Sequence, residues 1–291
     1  MQPSLLCEHP VDPEQRQRIL EALAQIERTH DVRVLFACES GSRAWGFASP
    51  DSDYDVRFIY VHRLPWYVSV MAQRDVIELP MDAVLDVNGW DLRKALGLLH
   101  QSNPTLLEWL RSPIVYRQDE AAMADLHALA HTHFSRVRGW YHYASMAKKN
   151  FREYLQGPLV RTKKYLYVLR PLLAARWIER HATGTPPMVF AELARQTLDA
   201  QRDAALLEAI NDLLALKMRA GETALGPRRP ALHAFITQEL ERHAAHALQA
   251  PAPGGDVSAL DAFLYRHACR FEAQAAAHDS PWILQNNIKT I

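Results

Sequence analysis

Apolar positions along the first third of the chain recur with two different periods. Ile19, Leu20, Leu23 and Ile26 follow helical spacing behind Asp12 and Pro13, an N-cap and a proline at the first helical position, and predict a helix that ends near His30. Residues 32–37, VRVLFA, are apolar apart from Arg33 and read as a buried strand. Residues 56–61 predict a second strand, entered from a polar turn at 51–55. Residues 77–79 and 81–87 read as further strands or as one bent ribbon, and 92–99 and 104–110 as helices. Beyond about residue 119 strand signals become scarce, and Ala, Leu, Arg and His at helical spacing dominate. Long helices are expected near 120–155 and 158–181, with three more towards the C-terminus and loops at 184–187 and 250–255. The layout predicts an α+β protein: a small α/β head over 1–118 and an all-α helical domain over 119–291.

Composition narrows this picture. The 291 residues are 48% hydrophobic and 23% charged, and no apolar run approaches the roughly 18 residues needed to span a bilayer. The three cysteines, Cys7, Cys38 and Cys269, are widely spaced without a CxxC pair. That argues against a zinc ribbon or a disulfide framework and for free thiols in a reducing cytoplasm. Lys plus Arg equals Asp plus Glu at 33 each, which argues against a general coat for nucleic acid or anionic membranes. The balance is a cancellation. Residues 136–180 hold eleven Lys or Arg against two acids, net +9, so the remainder carries −9. Aromatic residues from Trp140 to Trp177 interleave with these bases. The mixture suits contact with a nucleotide or single-stranded RNA, and equally a solvated basic helix over buried rings. His131, His133 and His142 have no partner at metal-site spacing and read as core or solvated side chains.

The chemistry concentrates in Gly41-Ser42-Arg43-Ala44-Trp45-Gly46-Phe47-Ala48-Ser49-Pro50-Asp51-Ser52-Asp53-Tyr54-Asp55. A glycine after a strand lets backbone approach a ligand closely, and the serine adds a hydroxyl and an N–H. Asp53 and Asp55, at i and i+2 at the start of a strand, point to one face. Two neighbouring carboxylates repel each other unless a cation neutralises them, and a hard divalent ion with oxygen ligands is the natural partner. Phosphate-binding GxxxxGK[ST], dinucleotide GxGxxG and nucleophile GxSxG patterns do not occur.

This arrangement resembles the nucleotidyltransferase fold of the DNA polymerase β superfamily, with its Gly-Ser, spacer and Asp-x-Asp. The longer wording GSRAWGFASPDSDYDVRFIY is similar to the RNA-ligase-associated branch, and the likeness continues through LDVNGWDLRKAL, SNPTLLEWLRSPIVY and KKYLYVLRPLLAARWI. The resemblance implies a mixed sheet with flanking helices and a third carboxylate on a later strand, which the LDVNGWDL wording places at Asp86, with Asp82 in reserve. Asp91 reads as a residue of the following helix's first turn. Two-metal chemistry is implied: Asp53, Asp55 and Asp86 hold two Mg²⁺ or Mn²⁺ ions, and NMP passes from an NTP such as ATP to a hydroxyl, with an RNA end as the expected acceptor. Gly41 and Ser42 would cradle phosphates, and Arg43 would touch phosphate or pair with Glu39. On the helix near 158–181, Lys163, Lys164, Tyr165 and Arg170 would reach the triphosphate or base, while Leu166, Leu169, Leu172 and Leu173 form the core stripe. A protein side chain or small alcohol as acceptor, and a non-catalytic RNA-binding module, are the alternatives.

Overall fold

The computed structural model describes residue 5 and residues 10–82, 84–219 and 225–279; Cys7 and Ala83 lie outside these described residues. Helix α1 (Pro13–His30) starts as its sequence dictates, with Asp12 accepting the N–H groups of Glu14 and Gln15, and ends on Asp31 in the left-handed region. Strand β1 (Val32–Glu39) follows, then a single helical turn α2 (Gly41–Ala44), strand β2 (Tyr54–His62) and a second short turn α3 (Leu64–Tyr67). Strands β3 (Val76–Glu78) and β4 (Leu85–Asp91) precede helices α4 (Leu92–His100) and α5 (Pro104–Trp109) and strand β5 (Val115–Gln118).

The five strands make one mixed sheet in the order β3-β4-β2-β1-β5, with β2 and β4 parallel and the other pairs antiparallel. Ile19, Leu23 and Ile26 of α1 cover one face together with Val32, Val34, Val56, Phe58 and Tyr60. A bulge between Val34 and Phe36 breaks the alternation of β1, so that Leu35 and Phe36 both join the core on the opposite face.

The structure corrects the expected ribbon. The strand proposed to begin at Met81 begins at Leu85, so Asp82 shares no strand face with Asp86. Asp82 instead closes the preceding turn, its Oδ1 accepting the N–H groups of Val84 and Leu85 at 2.8 and 2.7 Å. Asp86 stands at the start of β4, and Asp91 is the buried N-cap of α4, accepting the Arg93 N–H at 2.8 Å and the Tyr67 hydroxyl at 2.7 Å. Burial pushes the Asp91 carboxyl up to about 6 despite these bonds.

The remaining described residues are mainly helical, with one small ribbon. The expected long helix near 120–155 is two helices, α6 (Glu120–His133) and α7 (Arg136–Tyr154), because Phe134 is extended and Ser135 caps a new start through the Arg138 N–H. Strand β6 (Leu159–Arg161) comes next, then α8 (Lys164–Arg180), α9 (Phe190–Thr197), α10 (Ala204–Arg219), strand β7 (Leu225–Pro227), α11 (Pro230–Ala245) and α12 (Val257–Asp279). Among the described residues four helices therefore follow α8 where three were expected, and β6 pairs with β7 in an antiparallel ribbon inside a region read as all-helical. Helix α8 is the central rod of this region and contacts α7, α9 and α11. Its Leu166, Leu169, Leu172 and Leu173 are fully buried, and so are residues on its other faces. Helix α12 returns to the head and packs on β2, α3 and α4, so one apolar core runs from the sheet into the helices. Cys38 and Cys269 are free thiols, and burial raises the Cys38 thiol well above its ordinary value.

Candidate active site

The site forms where β1 ends beside the start of β2. Gly41 follows Glu39 and Ser40 with φ +59°, and a Cβ there would lie 2.0 Å from Asp55 Oδ2. Glycine is thus required twice, by its dihedral and by the close approach of a carboxylate. The Ser40 N–H donates to the Asp55 carbonyl at 2.8 Å, and the Asp55 N–H donates to Glu39 Oε1 at 2.9 Å. These bonds fix the motif turn against β2. Trp45 and Phe47 anchor it to the helical region: Trp45 meets Tyr167 at 5.4 Å between ring centroids, Phe47 meets Phe190 at 5.8 Å, and the Phe190 N–H donates to the Trp45 carbonyl at 3.0 Å.

Asp53 is exposed just ahead of β2, while Asp55 and Asp86 are directly opposed in the parallel register of β2 and β4. Both carboxylates meet one cation, because Arg57 Nη2 donates to Asp55 Oδ1 at 2.9 Å and to Asp86 Oδ2 at 2.7 Å. Arg57 also donates from Nη1 to the Asp86 carbonyl at 3.0 Å. Sequence reasoning missed this residue. The signal was its place at i+2 from Asp55, on the face already assigned to Asp53 and Asp55. Among the described residues no group of three or more His, Cys, Asp or Glu is gathered closely enough to hold a metal ion unaided. The donor chemistry nevertheless fits a hard divalent ion: oxygen ligands only, two carboxylates converging on one cationic point, and a side-chain-free Cα against Asp55.

Behind these acids lies a second feature the sequence did not reveal. Glu39 is fully buried and accepts the Tyr116 hydroxyl at 2.6 Å. Burial pushes its carboxyl up to about 7, against the lowering effect of the Tyr116 and Asp55 hydrogen bonds. The folded state then keeps a proton that the unfolded chain releases near its ordinary value of 4.5. The Glu39 contribution to stability therefore falls as pH rises through that window and is level above it. The melting temperature of Glu39→Gln relative to wild type should accordingly rise between about pH 5 and about pH 7.5; a difference constant with pH would show an ordinary carboxyl.

The other expected ligands divide. Ser42 is buried beside Gly41, its hydroxyl donating to Ser52 Oγ at 3.3 Å. Arg43 is turned into the fold, donating to the Pro10 carbonyl at 2.6 Å and the Ser52 carbonyl at 2.9 Å, and lying 4.0 Å from the Tyr54 ring centroid and 3.9 Å from Glu39. These contacts hold the guanidinium below the turn, beside Glu39. Tyr165 and Arg170 are inside the helical region, since α8 is enclosed on several sides. The Tyr165 hydroxyl accepts the Arg229 N–H at 2.9 Å. Arg170 donates to Glu108 at 2.6 Å and to the Met188 carbonyl, and lies 4.8 Å from the Trp45 ring. Lys163 and Lys164 are half-buried at the start of α8, with the Lys164 ammonium 3.8 Å from the Tyr154 ring centroid.

Similar proteins were found at three levels. The protein YcgL of Bacillus subtilis strain 168, described as uncharacterized, is 48% identical over 227 residues, spanning 78% of this chain and 86% of that one. The solved structure of a nucleotidyltransferase-like protein from Exiguobacterium sibiricum 255-15 aligns over 79% of this chain and 78% of that one, at 12% identity and a TM-score of 0.30. The RlaP family, described as the RNA repair pathway DNA polymerase beta family, matches residues 15–266, and the chain belongs to that family.

Proposed function

We propose that this protein is a metal-dependent nucleotidyltransferase that moves NMP from an NTP to a hydroxyl of an RNA end. The observation that carries the reading is the side-by-side placement of Asp55 and Asp86 on parallel strands, next to the Gly41-Ser42 turn. Asp53, Asp55 and Asp86 would hold Mg²⁺ or Mn²⁺. Such ions lower the pKa of an attacking hydroxyl and offset charge on departing pyrophosphate. Gly41 admits the phosphates to the backbone, Ser42 offers its hydroxyl, and Arg57 holds Asp55 and Asp86 together before loading. Lys148, Lys149, Arg152 and Arg161, from the basic 136–180 segment, are exposed and support an RNA acceptor. Among the described residues no helix is long and apolar enough to cross a membrane.

The test incubates the protein with each labelled NTP, Mg²⁺ or Mn²⁺ and an RNA pool. Label should enter RNA with wild type and not with Asp53→Ala/Asp55→Ala. Equal labelling by both proteins, or none by either, rejects the reading. Label found by mass spectrometry on protein or on a small alcohol would move the acceptor while keeping the chemistry.

A further inference from the structure

Lys217 lies on α10, far along the chain from the motif, and is 4% exposed. Its ammonium is 2.6 Å from Ser49 Oγ and 3.3 Å from Ser52 Oγ, across 168 and 165 residues of sequence. Ser52 Oγ also accepts the Ser49 N–H at 3.0 Å, lies 3.0 Å from Ser49 Oγ, and is 3.3 Å from the hydroxyl of Ser42. The Ser52 N–H donates back to the Ser49 carbonyl at 3.0 Å. A buried cation from the helical region is therefore wired through two hydroxyls to the serine of the Gly-Ser turn. The same end of α10 reaches a cavity of about 670 Å³ beside Asp53, whose wall includes Ser49, Ser52, Arg43 and Met218.

The direction of these bonds matters. An ammonium only donates, so both hydroxyl oxygens beside Lys217 present lone pairs to it. Ser52 Oγ receives Lys217, the Ser49 N–H and the Ser42 hydroxyl. Once Ser42 gives its proton to an anion, the Ser52 proton can turn to the Ser42 lone pair. Each bond then polarises the next, from the ammonium to the anion.

We propose that Lys217 is a positioning residue for the triphosphate, acting through Ser49 and Ser52 to aim the Ser42 hydroxyl at phosphate. The inference rests on the nucleotidyltransferase reading of the site. Lys217 itself touches the serines and not the substrate.

Calorimetric titration with inorganic tripolyphosphate in Mg²⁺ tests this independently of base and acceptor. Wild type should bind, and Lys217→Met and Ser52→Ala should each bind about tenfold more weakly. Ser52→Thr, which keeps the hydroxyl, should restore affinity. The double variant Ser42→Ala/Lys217→Met should be no weaker than its worse single parent, because both changes remove one contact. Wild-type affinity in Lys217→Met, or losses that multiply in the double variant, would overturn the proposal. If Lys217→Met does not fold, the contrast of Ser52→Ala with Ser52→Thr decides it: equal affinity in the two rejects the hydroxyl relay. Failure of wild type to bind tripolyphosphate removes the phosphate site itself, and the nucleotidyltransferase reading falls together with this one.

Discussion

Asp86→Asn is expected to slow nucleotidyl transfer about a thousandfold, the scale seen when one preorganised electrostatic contact to a transition state is lost. Asparagine keeps the shape of the side chain and removes its charge. Arg57 would still hold Asp55 and the Asp86 carbonyl, so the strand pair should stay intact and the melting temperature near that of wild type. Asp82→Asn is the matched control. Asp82 pairs with Arg18 at 2.8 Å and caps the turn at Val84 and Leu85, contacts that hold its carboxyl below the usual range. Initial rates with labelled NTP should barely change in that variant. A large loss in Asp82→Asn with a normal rate in Asp86→Asn would exchange the two assignments.

Arg170→Met should destabilise the protein by about 3–5 kcal/mol, the cost of leaving a buried ion-pair partner unmatched. Its partner Glu108 is largely buried and would keep only the Tyr143 hydroxyl, at 2.9 Å, of its two close donors. The change also removes the cation stacked on Trp45, and with it part of the contact between the motif turn and α8. Urea unfolding measures the loss. The double variant Arg170→Met/Glu108→Leu should recover much of it, since no charge is then left in the core. Wild-type stability in Arg170→Met together with lost nucleotide binding would return Arg170 to the triphosphate or base role that the resemblance implies.

Asp86 and Arg170 show how far local sequence signals reach and where they stop. Strands β1 and β2, helix α1 and the Gly41–Asp55 turn were legible because each carries a local signal: an apolar run, a cap with proline, a glycine beside paired acids. Asp86 was legible only through the family resemblance. Its pairing with Asp55 depends on the register of β2 and β4, which no local pattern states. The burial of Tyr165 and Arg170 was not legible, because helical spacing identifies one apolar stripe but not how many neighbours surround a helix. The break at Phe134–Ser135 was missed since Ser at an N-cap also fits a helix interior. Lys217 was invisible, because its partners Ser49 and Ser52 lie far away in sequence.

The return of α12 to the head has a consequence for how the protein is made. Arg33 in β1 donates to Gln274 at 2.7 Å across 241 residues, and Arg266 and Arg270 reach back to Asp125 and Asp119. An early strand of the sheet is thus sealed by a helix that follows it much later in the chain. During synthesis the nascent sheet therefore carries an uncovered apolar face for as long as the helical region takes to emerge. Such a face is open to aggregation and to chaperone capture throughout that interval.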